Sequence, residues 1–290
     1  MAALSWGTVG LVGQRVQRSS GLGPEHIAFF RLAVAGICLA PFLAGRSQAL
    51  RSRHRWYSSV HLRAGLFLGF NQLFYFLAID HLGVATAALL TLGLSPVIAS
   101  AFEIALDRAL PTWPVAAALG LSLVGLVLLS DAASLDVSSA NGALFSVLSA
   151  LCFSLVALSR RRATGATAVR STAATMGVAA LTVLPLAMMT GFPRSISGWE
   201  VIGLGYIGAW ATAIAYLLYF RGLTSVKASV ALLVVLIEPV TASLLGVLIE
   251  NERLGLDQLV GAGILLGGVS LATTPRVASL STPRTANQDR

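Results

Sequence analysis

The sequence predicts an all-α integral membrane protein with ten transmembrane helices, arranged as two inverted five-helix repeats around a central cavity. Three observations predict this fold: an apolar composition, ten apolar runs of spanning length, and an internal repeat that assigns five runs to each half. Because five is odd, the second half must enter the bilayer from the side opposite to the first.

The composition is that of a membrane protein. Of the 290 residues, 56% are hydrophobic and 11% are charged, and the mean hydropathy is +0.80. Soluble domains carry about 25% charged residues. The net charge of +8 comes from short basic clusters between apolar runs, as in the loops of membrane proteins. We therefore expect the lipid bilayer as a partner and no binding of nucleic acid.

Ten runs are long enough to cross a bilayer, which takes roughly 20 apolar residues per helix. They cover about 2–19, 26–44, 62–80, 84–106, 113–130, 141–159, 170–190, 199–220, 226–249 and 257–274. The polar residues that follow, 276–290, are predicted to form a disordered cytoplasmic tail.

The distribution of Lys and Arg predicts the orientation of the chain. With the N-terminus inside, the inside segments hold 15 of them and the outside segments hold 4, namely Arg15, Arg18, Arg194 and Arg253. We expect a multi-pass protein of the cytoplasmic (inner or plasma) membrane with both termini cytoplasmic. The first run lacks a basic segment and a cleavage site, so it is not a signal peptide. It is short, so either the true start precedes Met1 or Gln14 faces the protein interior.

Residues 75–110 and 219–254 repeat one another. Both begin with Tyr-Phe, continue with Ala-Leu-Leu and then Pro-Val-x-Ala-Ser, and Pro96 matches Pro239 at an offset of 143. Gly125 and Gly268 keep this offset, so we divide the chain into repeats 1–135 and 136–275. Inverted repeats are typical of secondary transporters, which bind substrate near the midplane where helices are interrupted. Proline removes an amide donor and clashes with the preceding turn, so Pro96 and Pro239 are the predicted helix breaks or hinges.

Several short motifs make the halves resemble two repeats of the EamA type, within the drug/metabolite transporter superfamily. They are Trp6-Gly7, Arg31, "SPV" at 95–97, "EPV" at 238–240, "ENERL" at 250–254 and "GAGILLGGVSL" at 261–271. The resemblance covers nearly the whole chain. It implies a ten-helix bundle with alternating access that moves a small metabolite, in the outward direction. One departure is "LDRAL" at 106–110, where the acidic residue corresponding to Glu252 becomes Arg108 or is shifted to Asp107.

Glu238 lies about midway along the apolar run 228–249. A charge at the centre of a bilayer costs about 2.5–3.5 kcal/mol on insertion scales, and such residues usually face a wet cavity or a partner. Three interpretations stay open: Glu238 contacts substrate or carries a proton, it pairs with a basic residue, or it caps the break at Pro239. The counterpart in the first half is Ser95, so the repeat itself does not require a carboxylate. Arg31 is the natural partner by charge, although near its span's outer end its side chain can reach water.

Further candidates for substrate binding are polar or aromatic residues inside spans. Buried amides need hydrogen-bond partners on another helix or on a ligand, and aromatic residues in spans either line a cavity or pack at the interfaces. With Glu238 and Arg31, the predicted set comprises Asn71, Gln72, Tyr75, Trp6, Trp210 and Tyr216.

The sequence therefore predicts a secondary transporter of an amino acid, nucleobase or drug-like compound, with proton coupling through Glu238 as one interpretation. We expect no enzyme activity, no cofactor and no metal, because no nucleophile with a base, metal triad or phosphate-binding loop is apparent. A channel would show a polar pore or filter. A non-transporting scaffold or signalling protein and, less favoured, a membrane-embedded enzyme are the alternatives. The oligomeric state is left open between monomer and homodimer.

Overall fold

The computed structural model describes residues 1–42, 54–108, 110–130, 139–160, 167–192, 196–251 and 253–274. These residues form helices joined by short connections and contain no strand. The predicted tail 276–290, Arg194 and Glu252 lie outside the described residues.

The helices follow one another as α1 (Ala2–Ser20), α2 (Pro24–Leu39), α3 (His54–Asp107), α4 (Trp113–Leu129), α5 (Ala140–Arg160), α6 (Thr167–Met189), α7 (Gly198–Gly208), α8 (Ala215–Gly222), α9 (Ala228–Val235), α10 (Ile237–Glu250) and α11 (Leu256–Thr273). A 3₁₀ turn, Ala40–Phe42, follows α2, and a π-helix, Ala209–Ile214, joins α7 to α8.

In the described part of the chain, each predicted apolar run falls largely on helical residues. Among the described residues, 7 helical segments are long and apolar enough to cross a membrane. One of them, Val60–Asp107, has 48 residues. At 1.5 Å per residue this is roughly 70 Å, about twice the hydrocarbon thickness. Its backbone leaves the helical region at Gly83, where φ is 77° and ψ is 165°, so the glycine separates the runs predicted as 62–80 and 84–106.

Gln14 is exposed on α1. The interpretation in which Gln14 faces the protein interior is therefore wrong. The polar second half of α1 also explains why this helix is not among the segments that qualify as spans by composition.

The two prolines differ in their effect on the helices. In the second half, α9 ends at Val235 and α10 begins at Ile237, so the interruption lies one turn before Pro239. In the first half, α3 continues through Pro96. Ser95 donates to the Thr91 carbonyl at 2.6 Å and Ser154 donates to the Ser95 carbonyl at 2.8 Å. Pro96 frees the carbonyl of Leu92, four residues earlier, whereas these hydroxyls bind the carbonyls of Thr91 and Ser95.

Helices α4 and α11 pack along each other through glycines. A Cβ on Gly125 would meet backbone atoms of Leu265 and Gly261, and a Cβ on Gly268 would meet Ser122 and the Ala118 carbonyl. The order of these contacts makes the two helices antiparallel. Small residues allow this close approach of backbones.

The ends of α3 and α10 also match. Arg108 and Asn251 are the two non-glycine residues with positive φ in the described chain, at 50° and 57°, and each follows the last residue of its helix. A left-handed residue commonly ends a helix in this position. The offset between them is 143, which aligns Asp107 with Glu250 and places Arg108 opposite Asn251 rather than Glu252.

Candidate functional site

Arg31 is held against the π-helix between α7 and α8. Its Nε donates to the Thr212 hydroxyl at 3.2 Å, and that hydroxyl donates to the Ile207 carbonyl, five residues earlier, at 2.8 Å. The wider π turn lets the buried Thr212 serve both groups. Single-turn π segments occur often at functional sites. Arg31 is the eighth residue of α2 and is half-buried, so it lies deeper than the outer-end position considered from the sequence.

Glu238 lies in the first turn of α10, just after the interruption at Leu236. The N-cap residue of that helix, Leu236, has no capping side chain, and the described residues donate no hydrogen bond to the Glu238 carboxylate. Within the described part of the chain, no direct ion pair joins Glu238 to Arg31. The capping and ion-pair interpretations thus find no direct contact to support them. The carboxylate is half-buried and gains from the positive end of the α10 dipole.

Two tyrosines lie near both of these charges. The Tyr75 hydroxyl is within electrostatic range of both Glu238 and Arg31, and so is the Tyr216 hydroxyl. Arg31 and Glu238 also interact with each other through space. Four residues from α2, α3, α8 and α10 therefore converge on one region, although Arg31 and Tyr216 are 185 positions apart.

An aromatic cluster forms one wall of this region. The Trp6 ring lies 4.9 Å from that of Tyr216 and 5.4 Å from that of Tyr219, centroid to centroid. The next residue, Gly7, packs directly against the Glu238 carbonyl and Thr241. Trp6 Nε1 and the Tyr219 hydroxyl are buried without a hydrogen-bond partner among the described residues. Buried donors are rarely left unpaired, so each needs an acceptor from water or a ligand.

Asn71 and Gln72 are engaged elsewhere. Asn71 Nδ2 donates to the Ser149 hydroxyl at 2.9 Å and to the Ser149 carbonyl at 3.1 Å, and Gln72 Nε2 donates to Asn71 Oδ1 at 2.9 Å. Ser149 donates back to the Asn71 carbonyl at 3.0 Å. These bonds join α3 to α5, so the structure gives both amides a protein partner and does not bring them to the charged pair.

Trp210 is also apart from the cluster. It lies on the π-helix and is 52% exposed, and it makes no ring contact with the described aromatic residues. Its neighbour Thr212, two residues on, points inward instead and is fully buried.

Three important residues were absent from the predicted set. Thr212 gives no signal, because a threonine in an apolar run is ordinary and a π turn has no sequence pattern. Tyr219 does carry one, since it begins the segment 219–254 just as Tyr75 begins the matching segment 75–110. Glu103 lies near the end of a run, where an acidic residue reads as solvated, yet it is 4% exposed.

Comparison with known proteins confirms the resemblance drawn from the motifs. The EamA-like transporter family matches the chain twice, at residues 1–131 and 140–274. This chain belongs to the EamA-like transporter family. Its two matched segments cover both repeats, and the fold is accordingly a two-repeat membrane fold.

Relatives agree with this assignment, and a solved structure shares the fold. The chain is 31% identical over 287 residues to the uncharacterized transporter YwfM of Bacillus subtilis, covering 95% of this chain and 93% of that protein. It is 27% identical over 288 residues to the uncharacterized inner membrane transporter YicL of Salmonella typhimurium, covering 93% and 92%. One crystal structure superposes with a TM-score of 0.75 at 23% identity, over 94% of this chain and 93% of that one. This last likeness concerns the fold alone.

This EamA-family chain is thus a multi-pass membrane protein related to transporters throughout its length. The family implies transport of a small molecule across a membrane.

Proposed function

We propose that this chain is a secondary transporter that moves a small zwitterionic metabolite, such as an amino acid, out of the cell by alternating access. Of the three cargo classes that the sequence suggests, an amino acid fits the charged groups best. The observation that carries the proposal is the placement of Arg31 and Glu238 around one region without a direct ion pair between them.

Opposite charges that share a region but do not touch leave room for a ligand with both charges. The Arg31 guanidinium suits a carboxylate, since its fork of donors matches two carboxylate oxygens. Glu238 suits an ammonium group, and the faces of Trp6 and Tyr216 favour a cation as well. The unpaired Trp6 Nε1 and Tyr219 hydroxyl would bind polar atoms of the same ligand. Arg31, Glu238, Tyr75, Tyr216 and Trp6 therefore form the proposed site.

Alternating access requires two halves that exchange conformations, and we propose that the ten predicted spans form inverted repeats. Contacts between α4 and α11 support this. Gly125 packs on Leu265, which is the counterpart of Ser122 at the offset of 143, and Gly268, the counterpart of Gly125, packs on Ser122. Such reciprocal contacts are expected at a two-fold axis between related surfaces.

The proposal is tested by ligand-induced stabilisation of the purified chain in detergent. A ligand that binds only the folded state raises stability by RT ln(1 + [L]/Kd). We expect free amino acids at millimolar concentration to raise the unfolding temperature. Their methyl esters, which lack the carboxylate, and their N-acetyl derivatives, which lack the ammonium group, should not. Nucleobases, sugars and cationic drugs complete the panel.

Two variants test whether Arg31 and Glu238 bind the two charged groups of the ligand. Arg31→Gln should remove the shift caused by the free amino acid, and so should Glu238→Gln. The exposed Asp257→Asn serves as a matched control that should keep the shift. If only nucleobases or drugs raise the unfolding temperature, the zwitterion proposal is wrong and the cargo belongs to that other class. No shift and no uptake into proteoliposomes with any compound would favour the scaffold or signalling alternative.

A further inference from the structure

Glu103 joins the end of α3 to the start of α9. Its carboxylate accepts a hydrogen bond from the Ala228 amide at 2.7 Å and another from the Ser229 hydroxyl. Ala228 is the first residue of α9, so the carboxylate also meets the positive end of that helix. One turn further along α3, Asp107 Oδ2 lies 3.3 Å from Lys227 Nζ. We call the contact of Glu103 with Ala228 and Ser229 the inner gate, because Lys227 and Arg221 assign this end of the bundle to the cytoplasm.

The repeat provides a direct comparison with the opposite end. At the offset of 143, Ala228 and Ser229 correspond to Ala85 and Thr86, and Glu103 corresponds to Gly246. The acid of the inner gate is thus replaced by a residue with no side chain. The Thr86 hydroxyl is buried and has no hydrogen-bond partner among the described residues, whereas Ser229 has Glu103.

The packing of the helices also differs between the inner and outer ends of the bundle. Helix α9 packs against α3. Helix α10 continues toward the outer side, where Gly83 divides α3, but it packs chiefly against α1. The contact between the two repeats is therefore made at the inner end and not in the same way at the outer end.

We propose that Glu103 is a positioning residue that holds the inner end closed and thereby favours the state open to the outside. The inference rests on the alternating access proposed above. When the inner end opens and the outer end closes, Thr86 would approach Gly246. Gly246 has no carboxylate, so the hydrogen bonds lost at the inner gate are not replaced there. In its most stable state such a carrier has its site facing outward. Inward opening costs free energy, because it separates Glu103 from Ala228 and Ser229.

The test measures access to the inner end and needs no substrate. Ser100, which lies one turn deeper than Glu103 and is 8% exposed, becomes a reporter as Ser100→Cys in a chain carrying Cys38→Ser and Cys152→Ala. The full chain is placed in inside-out and right-side-out vesicles. The rate of labelling by a membrane-impermeant maleimide is then measured from each face.

Glu103→Ala should raise labelling from the cytoplasmic face by about ten-fold, since it removes two hydrogen bonds to a charged group. Glu103→Gln keeps an acceptor for the Ala228 amide and should give a smaller increase. Asp107→Asn breaks a partly exposed ion pair and should change the rate by less than about two-fold.

Gly246→Glu makes the reverse change, with Gly246→Ala as its control. It supplies the missing acid to the outer end, so it should favour outer closure and raise cytoplasmic labelling while Glu103 is intact. Simple loss of stability would instead raise labelling from both vesicle faces, and it would do so in Gly246→Ala as well.

Unchanged cytoplasmic labelling in Glu103→Gln and Gly246→Glu would overturn the inner gate, even if Glu103→Ala failed to fold. Equal increases from both vesicle faces in Glu103→Ala would show a merely structural role and overturn it too. Because labelling uses no ligand, a failed zwitterion test leaves this result interpretable, and a failed labelling test leaves the substrate site intact.

Discussion

Arg31 reaches the Thr212 hydroxyl from α2, at 3.2 Å, and so ties a charged side chain to the π turn that joins α7 and α8. The same hydroxyl donates a hydrogen bond to the Ile207 carbonyl, five residues earlier in the chain. Thr212 therefore fixes both the local backbone and the direction of the guanidinium. A change of this one oxygen should affect ligand binding and helix geometry together.

Thr212→Val removes the hydroxyl and keeps the shape of the side chain. We expect the Kd for a stabilising amino acid to rise about ten-fold, because Arg31 loses a partner that holds it in place. Unfolding should become easier by about 1 kcal/mol, since the Ile207 carbonyl also loses a bond. Thermal unfolding with and without ligand measures both. Thr224→Val, which removes an exposed hydroxyl bonded to the Arg221 carbonyl, is the control; an equal rise in Kd there would contradict the assignment.

The glycines between α4 and α11 give a prediction about packing. Gly125→Ala and Gly268→Ala each place a methyl group against backbone atoms of the partner helix, so each should destabilise the fold by about 1–3 kcal/mol. Gly120→Ala on α4 and Gly263→Ala on α11 place the same methyl group in open space and should be near neutral. Unfolding temperatures of the four variants in detergent measure the difference, and four similar values would exclude close packing at this interface.

The sequence predicted the helices and the equivalence of the halves because both depend on local pattern. Span-length apolar runs fix the helices, and the offset of 143 that links Pro96 to Pro239 holds at Gly125 and Gly268. The backbone conformation at Arg108 and Asn251 follows the same offset. Equivalence in sequence did not give equivalence in shape, however, since α3 continues through Pro96 whereas α9 and α10 are interrupted at Leu236, one turn before Pro239.

Residues whose roles depend on distant partners were the hardest to predict. Asn71 looked like a ligand contact until Ser149, 78 positions away, supplied its bonds. Glu103 was not among the predicted residues, because nothing in its own segment indicates that α9 begins beside it. Glu238 and Arg31 were identified because a charge inside an apolar run has to be explained wherever its partners lie.

The Asn71–Ser149 pair offers a way to separate stability from ligand binding. Asn71→Leu should cost about 1–3 kcal/mol because it leaves the Ser149 hydroxyl buried with fewer partners. Ser149→Ala should cost a similar amount, and the double variant less than the sum, which a double-mutant cycle of unfolding free energies detects. The ligand-induced shift should persist in each variant that folds. Its selective loss in Asn71→Leu would return Asn71 to the substrate site.

The orientation of the chain is testable at two exposed basic positions. Arg18 lies in the last turn of α1 and Arg221 lies near the end of α8, and the balance of charges assigns them to opposite faces. In a chain without its native cysteines, Arg18→Cys should react with an impermeant maleimide outside intact cells, and Arg221→Cys only after the membrane is opened. The reverse pattern would invert the topology, and reaction of both from outside would exclude the proposed number of spans.

Proton coupling through Glu238 has a distinct signature in proteoliposomes. An outward carrier that exchanges its cargo for protons runs faster when the outer solution is more acidic than the inner one, since protons then move down their gradient as cargo leaves. Glu238→Gln cannot bind or release a proton, so the gradient should no longer change its rate. Exchange of labelled for unlabelled cargo should survive in this variant at cargo concentrations raised above its weakened Kd, because a full exchange cycle needs no net proton movement. Asp257→Asn, at an exposed position, should keep the response of the wild type. If Glu238→Gln still follows the gradient, the proton is carried elsewhere and Glu238 serves the cargo alone.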